Sequence, residues 1–247
     1  MSPKNHAPLI LLTASKHGGL FAYWSARVFI PPQRRAGEML GYLYDRALAG
    51  ERCWIRDDDG LRRALPVRAW LGGRGADTAF DGAVVALCNG PTIDLGCGPG
   101  RLVAQLLRCG IPALGVDQSL TAVALARRSG ALALHRDIFE PLPATGRWHT
   151  VLLADGNIGL GGDPSRMLSR AAELLSRGGR CVAEFDPGTT GVRRRWARLE
   201  SASGVGPWFR WASVGVDSIA SLAKQAGLVP VGIHPAGRRV VASLAAT

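Results

Sequence analysis

Eight residues, Ile93-Asp94-Leu95-Gly96-Cys97-Gly98-Pro99-Gly100, set an apolar run, one acid and three glycines side by side. Glycines at the end of an apolar run form loops whose bare backbone approaches a nucleotide-like ligand closely. The dinucleotide fingerprint G-x-G-x-x-G uses its third glycine for close helix–strand packing and seats a pyrophosphate at the helix N-terminus. Here Gly96 and Gly98 fit, but Arg101 holds the third place and the last glycine falls one residue early, at Gly100. Asp94, inside the apolar run, suits a cationic ligand better than a pyrophosphate. Further acids end later apolar runs: Asp117 in GVDQS, Asp137 in RDIFEPLP, and Asp155 after Thr150–Ala154. Asp155 opens a glycine-rich stretch, Asp155-Gly156-Asn157-Ile158-Gly159-Leu160-Gly161-Gly162-Asp163, whose backbone suits close approach to a ligand. It is the candidate catalytic residue, as a base or an acceptor-binding group, with a turn buttress as the structural alternative.

These acids need elements that bring them to one side. From Pro91 onward strand and helix patterns alternate. Strands are expected at 92–95, 113–116, 131–134, 150–154 and 180–185. Helices are expected at 102–108, 120–128, capped by Ser119, and 165–175, with Asp163 as cap and Pro164 at the first helical position. Repeated βα units imply a parallel sheet with right-handed crossovers, and in open α/β sheets chemistry sits beyond the carboxyl ends of the strands. A helix at 217–225 and strands at 229–234 and 240–244 suggest a terminal antiparallel hairpin. Before this block, 36–48 reads as a helix and 53–56 with 61–65 as a hairpin turned by Asp57-Asp58-Asp59-Gly60. Gly72-Gly73-Arg74-Gly75 reads as a linker. Residues 188–212 show no core pattern and are rich in Arg and Trp.

The glycine loop and the ordered acids resemble the class I S-adenosylmethionine-dependent methyltransferases over residues 91–187, and over the final hairpin. The resemblance implies an α/β Rossmann-like seven-stranded sheet, order 3-2-1-4-5-7-6, its seventh strand antiparallel, with a helical N-terminal cap. It implies a substrate-side region at 1–80 and a cofactor-binding domain at 81–247, with 188–212 as a substrate-side insertion. IDLGCGPG resembles the family's first motif, so Asp94, Gly96, Cys97, Gly98 and Gly100 would hold the methionine end of S-adenosylmethionine. Asp117 with Gln118 would hold the ribose, and Asp137 with Ile138 and Phe139 the adenine. Asp155 and Gly156 would lie beside the methyl group. Amino-methylating nucleobase enzymes often carry N/D-P-P-Y/F at this place; this chain has Asp-Gly-Asn-Ile. The acceptor expected is therefore a hydroxyl on a small molecule or glycan of secondary metabolism, not a nucleic acid.

A metal is a separate expectation. Asp155 and Asp186 end neighbouring expected strands, with Glu184 and Asn157 near them, and oxygen ligands from two strand ends suit Mg²⁺. Some sugar and catechol O-methyltransferases of this superfamily use such a site. Of the histidines only His17 is placed to reach an acceptor. The flanking aromatics Tyr23, Trp24, Tyr42, Tyr44, Trp196, Trp208, Phe209 and Trp211 would roof the pocket, with Arg193, Arg194, Arg195 and Arg198 as anion donors.

Composition sets outer bounds. The chain has 247 residues, 47% hydrophobic and 20% charged, enough for a full core. It has no apolar run long enough to span a membrane and no signal-peptide pattern, which points to the cytoplasm. Its 5 cysteines include no C-x-x-C pair, so neither a disulfide framework nor a zinc ribbon is expected. The net charge is +11, carried almost wholly by arginine: only Lys4, Lys16 and Lys224 are lysine. The excess lies in the flanks, while residues 81–187 balance. That keeps two alternatives open, an RNA methyltransferase using the basic flanks and a non-catalytic partner that retains the fold. A nicotinamide enzyme is disfavoured by Arg101.

Overall fold

The computed structural model describes residues 36–73 and 77–246. Helix α1 (Ala36–Leu48) buries Leu43, Ala47 and Leu48, the spacing of one helical face. The expected hairpin follows as β1 (Cys53–Asp57) and β2 (Arg62–Ala64), then a single turn α2 (Val67–Trp70). Helix α3 (Thr78–Leu87) crosses the boundary expected near residue 80. It starts where Asp77 accepts the Phe80 N–H at 2.9 Å, and it buries Phe80, Val84 and Val85.

The alternating block then runs β3 (Thr92–Leu95), α4 (Arg101–Arg108), β4 (Ala113–Asp117), α5 (Leu120–Arg128), β5 (Ala133–His135), β6 (Trp148–Leu153), α6 (Pro164–Leu174) and β7 (Leu175–Phe185). Ser119 accepts the Ala122 N–H and Asp163 the Arg166 N–H, the two expected caps. After β8 (Val192–Ser201), β9 (Gly204–Val205) and β10 (Phe209–Val214) come α7 (Ile219–Gln225), β11 (Leu228–Ala236) and β12 (Arg239–Ala246).

Seven strands form one sheet in the order β11-β12-β7-β6-β3-β4-β5. The pairs among β3 to β7 are parallel, while β12 runs antiparallel to both β7 and β11. Numbered within the sheet this is the expected order, with its one reversed strand. The uniformly apolar β6 shows why both faces must be covered. Val151 and Leu153 pack with Met167 and Leu168 of α6 and Leu222 of α7; Leu152 and Ala154 pack with Phe80, Val103, Leu106 and Val123 on the other side.

The segment expected to lack a core pattern is instead the centre of a second, antiparallel sheet. Its order is β10-β8-β1-β2, with β9 attached to β8, so the N-terminal hairpin and residues 192–214 fold as one layer. Along β8, Ala197 and Leu199 turn inward while Trp196 and Arg198 turn outward, a period-two pattern masked by arginine on both faces. The inward arginine is Arg195. With Arg63 it pairs the buried Asp57, whose Oδ2 lies 2.7 and 2.8 Å from the two guanidiniums.

The two sheets meet at the glycine-rich loop after β6. Leu160 bridges Trp211, and a side chain on Gly159 would collide with the Ala212 carbonyl. These glycines admit the backbone of β10, where close approach of a ligand was expected. Among the described residues no helix is long and apolar enough to cross a membrane.

Candidate active site

The glycine loop leaves β3 with Gly96, Gly98 and Gly100 all at positive φ. A Cβ on Gly100 would stand 2.6 Å from that of Ala126 on α5, so Gly100 performs the close-packing task of the missing third glycine. Cys97 packs its sulfur against Gly115 of β4; burial, then the charge of Asp94, pushes this thiol far up. Asp117, ending β4, accepts the Gly98 N–H at 2.9 Å and the Ser119 N–H at 2.8 Å. One carboxylate thus fixes the loop and the start of α5. Burial raises its pKa, and these two bonds oppose the rise. Asp94 is 3% exposed. Burial, with Asp155 and then Asp117 nearby, pushes its carboxyl up to about 8. Loop and strand ends therefore enclose buried acids in one another's field.

Helix α1 stands beside this cradle. Asp45 accepts the Ser119 hydroxyl at 2.6 Å, and the Tyr44 hydroxyl lies 3.4 Å from where a Gly98 side chain would begin. Burial, then Asp117, raises the Tyr44 phenol well above its ordinary range. Gln118 is exposed, its carbonyl bonded to His135 Nε2. Asp137 is exposed beyond β5 and accepts the Phe139 N–H at 2.9 Å. Ile138 turns into the core, and the Phe139 ring is covered by Arg166 at 3.8 Å. Ile138 is thus a core residue, while Phe139 is half-buried with Arg166 over its ring.

Asp155 is held by cations. Its φ is +53°, a left-handed conformation costly outside glycine. Oδ2 accepts Arg101 Nη2 at 2.8 Å and Oδ1 accepts Arg239 Nη2 at 2.7 Å. Arg101 also pairs with the buried Asp81. Arg239 donates Nε to Glu184 at 2.7 Å and lies over the Phe80 ring at 3.3 Å. Burial lowers the affinity of Arg239 for its proton, but the bonds to Glu184 and Asp155 outweigh that and raise it. Glu184 also accepts the Gly156 N–H at 3.2 Å. The result is a chain of alternating charge, Asp81–Arg101–Asp155–Arg239–Glu184, joining α3, α4, β7 and β12. Sequence reasoning found Asp155 and Glu184 but read Arg101 only as a departure from a glycine pattern and passed over Arg239. No local signal marks Arg239, since it reaches Asp155 only through the antiparallel pairing of β12 with β7.

A cavity of about 450 Å³ opens on this network. Arg101, Asp155, Glu184 and Arg239 form its charged wall, and Trp70 of α2 and Trp211 of β10 its aromatic one. Asp186 also lines it, but its carboxylate is engaged in its own turn, accepting the Gly188 N–H at 2.8 Å and the Thr189 hydroxyl at 2.7 Å. Of the flanking aromatics, Trp211 lines the cavity, whereas Trp196 and Trp208 stand on the opposite, exposed side of the second sheet. His17, Tyr23 and Trp24 lie outside the described residues.

Residues 93–183 match the family model described as "Methyltransferase domain". No curated protein matches the sequence. Among solved structures, a SAM-dependent methyltransferase from Bacteroides fragilis in complex with S-adenosyl-L-homocysteine aligns at TM-score 0.71 and 16% identity, covering 87% of this chain and 98% of that one. The 1,6-didemethyltoxoflavin-N1-methyltransferase of Burkholderia thailandensis aligns at TM-score 0.55 and 18% identity, over 88% and 92% of the two chains. The sugar N-methyltransferase KedS8 of Streptoalloteichus aligns at TM-score 0.56 and 19% identity, over 76% and 96%. The glycine loop, the acids after β4 and β5 and the charged cavity beyond β6 all fall within or against the matched segment: residues 93–183 are a methyltransferase domain, carried on the fold of the class I S-adenosylmethionine-dependent methyltransferases.

Proposed function

We propose that this chain transfers a methyl group from S-adenosylmethionine to a hydroxyl of a small molecule or glycan of secondary metabolism. The carrying observation is the set of buried acids around the glycine loop. Asp94 is pushed up to about 8 with Asp155 and Asp117 in its field, and a sulfonium and an ammonium would supply the opposite charge. A pyrophosphate would meet repulsion there. When bound, the cofactor supplies an already activated methyl group, so the protein's task is mainly alignment and exclusion of water.

In this reading Asp94 and the loop Gly96–Gly100 hold the methionine end, with Cys97 setting the loop against β4. Asp117 and Gln118 take the ribose, and Asp137, fixed by the turn through Ile138 and Phe139, takes the adenine. Asp155 and Gly156 face the acceptor. Because both oxygens of Asp155 already bind guanidiniums, its role is to orient the acceptor through the network, with Trp70 and Trp211 as stacking walls. The segments 1–80 and 188–212 supply the acceptor side through those of their residues that line the cavity, Trp70 and Trp211 among them, and 81–247 is the cofactor domain. The reading needs no magnesium: Asp155 is neutralised by Arg101 and Arg239, and Asp186 is engaged in its turn. The five cysteines are free thiols, which suits a reducing cytoplasm.

An amine acceptor is the second reading. The cavity wall carries Asp77, Asp155, Glu184 and Asp186, and two of the aligned structures are named as N-methyltransferases. Calorimetric titration with S-adenosylhomocysteine, with NAD in parallel and each with and without Mg²⁺, tests the cofactor. Micromolar binding of the homocysteine compound alone, unaffected by Mg²⁺, is expected; binding of NAD, or of neither, overturns it. Mass spectrometry of matched alcohol and amine acceptors then separates the two readings.

A further inference from the structure

The second sheet has a face that the cavity does not use. Along β10, Trp211 to Val214 line the cavity, while Arg210, paired with Trp196 of β8, lies outside it on the exposed face. On that outer face Arg62 of β2, Arg56 of β1 and Arg198 of β8 stand directly opposite one another across three adjacent strands. Like charges opposed across strands destabilise a sheet. A single carboxylate, Glu200, gathers all three, at 2.7 Å from Arg56, 3.3 Å from Arg62 and 2.9 Å from Arg198. The bond from Arg56 and then that from Arg198 hold Glu200 below the usual carboxylate range. It stays ionised and still leaves most of the positive charge uncompensated. Arg194 and Arg210 extend the basic surface to β10.

Tryptophans interleave these arginines. Arg62 lies 4.0 Å from the Trp54 ring centre, Arg198 4.7 Å from that of Trp208, and Arg210 4.9 Å from that of Trp196. Trp196 is 44% and Trp208 42% exposed, and with Asp58 they border an open hollow. Indole is ordinarily well covered, so two such rings on one basic face are a cost that packing does not explain.

We propose that this Arg–Trp face binds single-stranded nucleic acid, its phosphates pairing with the arginines and its bases stacking on Trp54, Trp196 and Trp208. A ring-free polyanion would use the charges and leave the indoles idle; a neutral glycan would do the reverse. Single-stranded nucleic acid supplies both a regular anionic backbone and flat rings, the combination that stacking platforms on basic sheets exploit. The face lies behind the sheet from the cavity, so the proposal concerns docking and leaves the acceptor as described above.

The test is fluorescence anisotropy of the full chain with a short labelled single-stranded RNA, using heparin and inorganic polyphosphate as ring-free comparators. The expected result is RNA binding whose log–log salt slope is about −2 or steeper, from three or more phosphate contacts. Trp196→Ala with Trp208→Ala should weaken RNA binding about tenfold or more and leave heparin binding unchanged. Arg62→Ala with Arg210→Ala should flatten the salt slope. Unchanged S-adenosylhomocysteine affinity and melting temperature in each variant show that the fold is intact. Absence of RNA binding overturns the proposal, as does RNA binding that matches the comparators and ignores the loss of both tryptophans.

Discussion

The two sheets handle charge in opposite ways. In the seven-stranded sheet, Asp94 and Asp117 are buried at or near the carboxyl ends of parallel strands, and Asp117 accepts two backbone N–H bonds. In the smaller antiparallel sheet, arginines outnumber their carboxylate partners, and Asp57 and Glu200 each gather more than one guanidinium. The first arrangement gathers negative charge; the second exposes positive charge. Within the first region Arg101 of α4 and Arg239 of β12 are the exceptions, where they clamp Asp155 beside the cavity. The two regions thus differ in the sign of the charge they present, and variants in one should leave the other nearly untouched.

The largest expected effect lies in the second sheet. Asp57→Ala removes a buried partner from Arg63 and Arg195 and should cost about 3 kcal/mol in urea denaturation, while S-adenosylhomocysteine affinity stays unchanged. A parallel loss of affinity would show that the regions do not act separately. Next is Gly100→Ala, which needs both a left-handed backbone and room beside Ala126; about 2 kcal/mol should be lost, now with weakened cofactor binding. Asp117→Ala should weaken S-adenosylhomocysteine about thirtyfold by calorimetry, because the loop loses its anchor as the ligand loses its partner. In the cavity wall, Arg239→Met should lower kcat/KM about tenfold and change cofactor affinity little, since it frees Asp155 and Glu184 without touching the glycine loop.

The last comparison is read as a slope against pH. Asp94 titrates near 8 in the free folded chain and near the ordinary carboxylate value when unfolded, so between those pH values the folded state holds the extra proton. Its contribution is full below the unfolded value and falls as pH rises toward 8. Asp94→Asn should flatten that decline in the urea midpoint. Binding of a cation beside Asp94 should also release a proton near neutrality, measurable as a buffer-dependent heat. A heat independent of buffer would remove Asp94 from the cofactor site.

The parallel block was legible in the sequence because its signals are local. Caps at Ser119 and Asp163, apolar runs of strand length and the loop Gly96–Gly100 each act within a few residues, so the order of elements and the places of Asp94, Asp117, Asp137 and Asp155 could be stated without coordinates. Of the second sheet only the local hairpin β1–β2 was legible, and its pairing with β8 and β10 was not. Its pairs join Arg56 to Arg198 and Trp54 to Glu200, and no periodicity announces a partner so distant in sequence. Arginine on both faces of β8 also erases the apolar alternation by which a strand is recognised, since the inward Arg195 becomes tolerable only once Asp57 is beside it. The glycine-rich loop after β6 was seen, but its reason, the approach of β10, was not. By itself, then, the sequence determined the methyltransferase sheet and the acids along its edge. Tertiary structure alone decided that Asp155 is clamped by Arg101 and Arg239, that Phe139 is covered, and that the arginines of four strands share one face. Ion pairing and cross-strand neighbourhood depend on distance in space, which spacing along the chain does not encode.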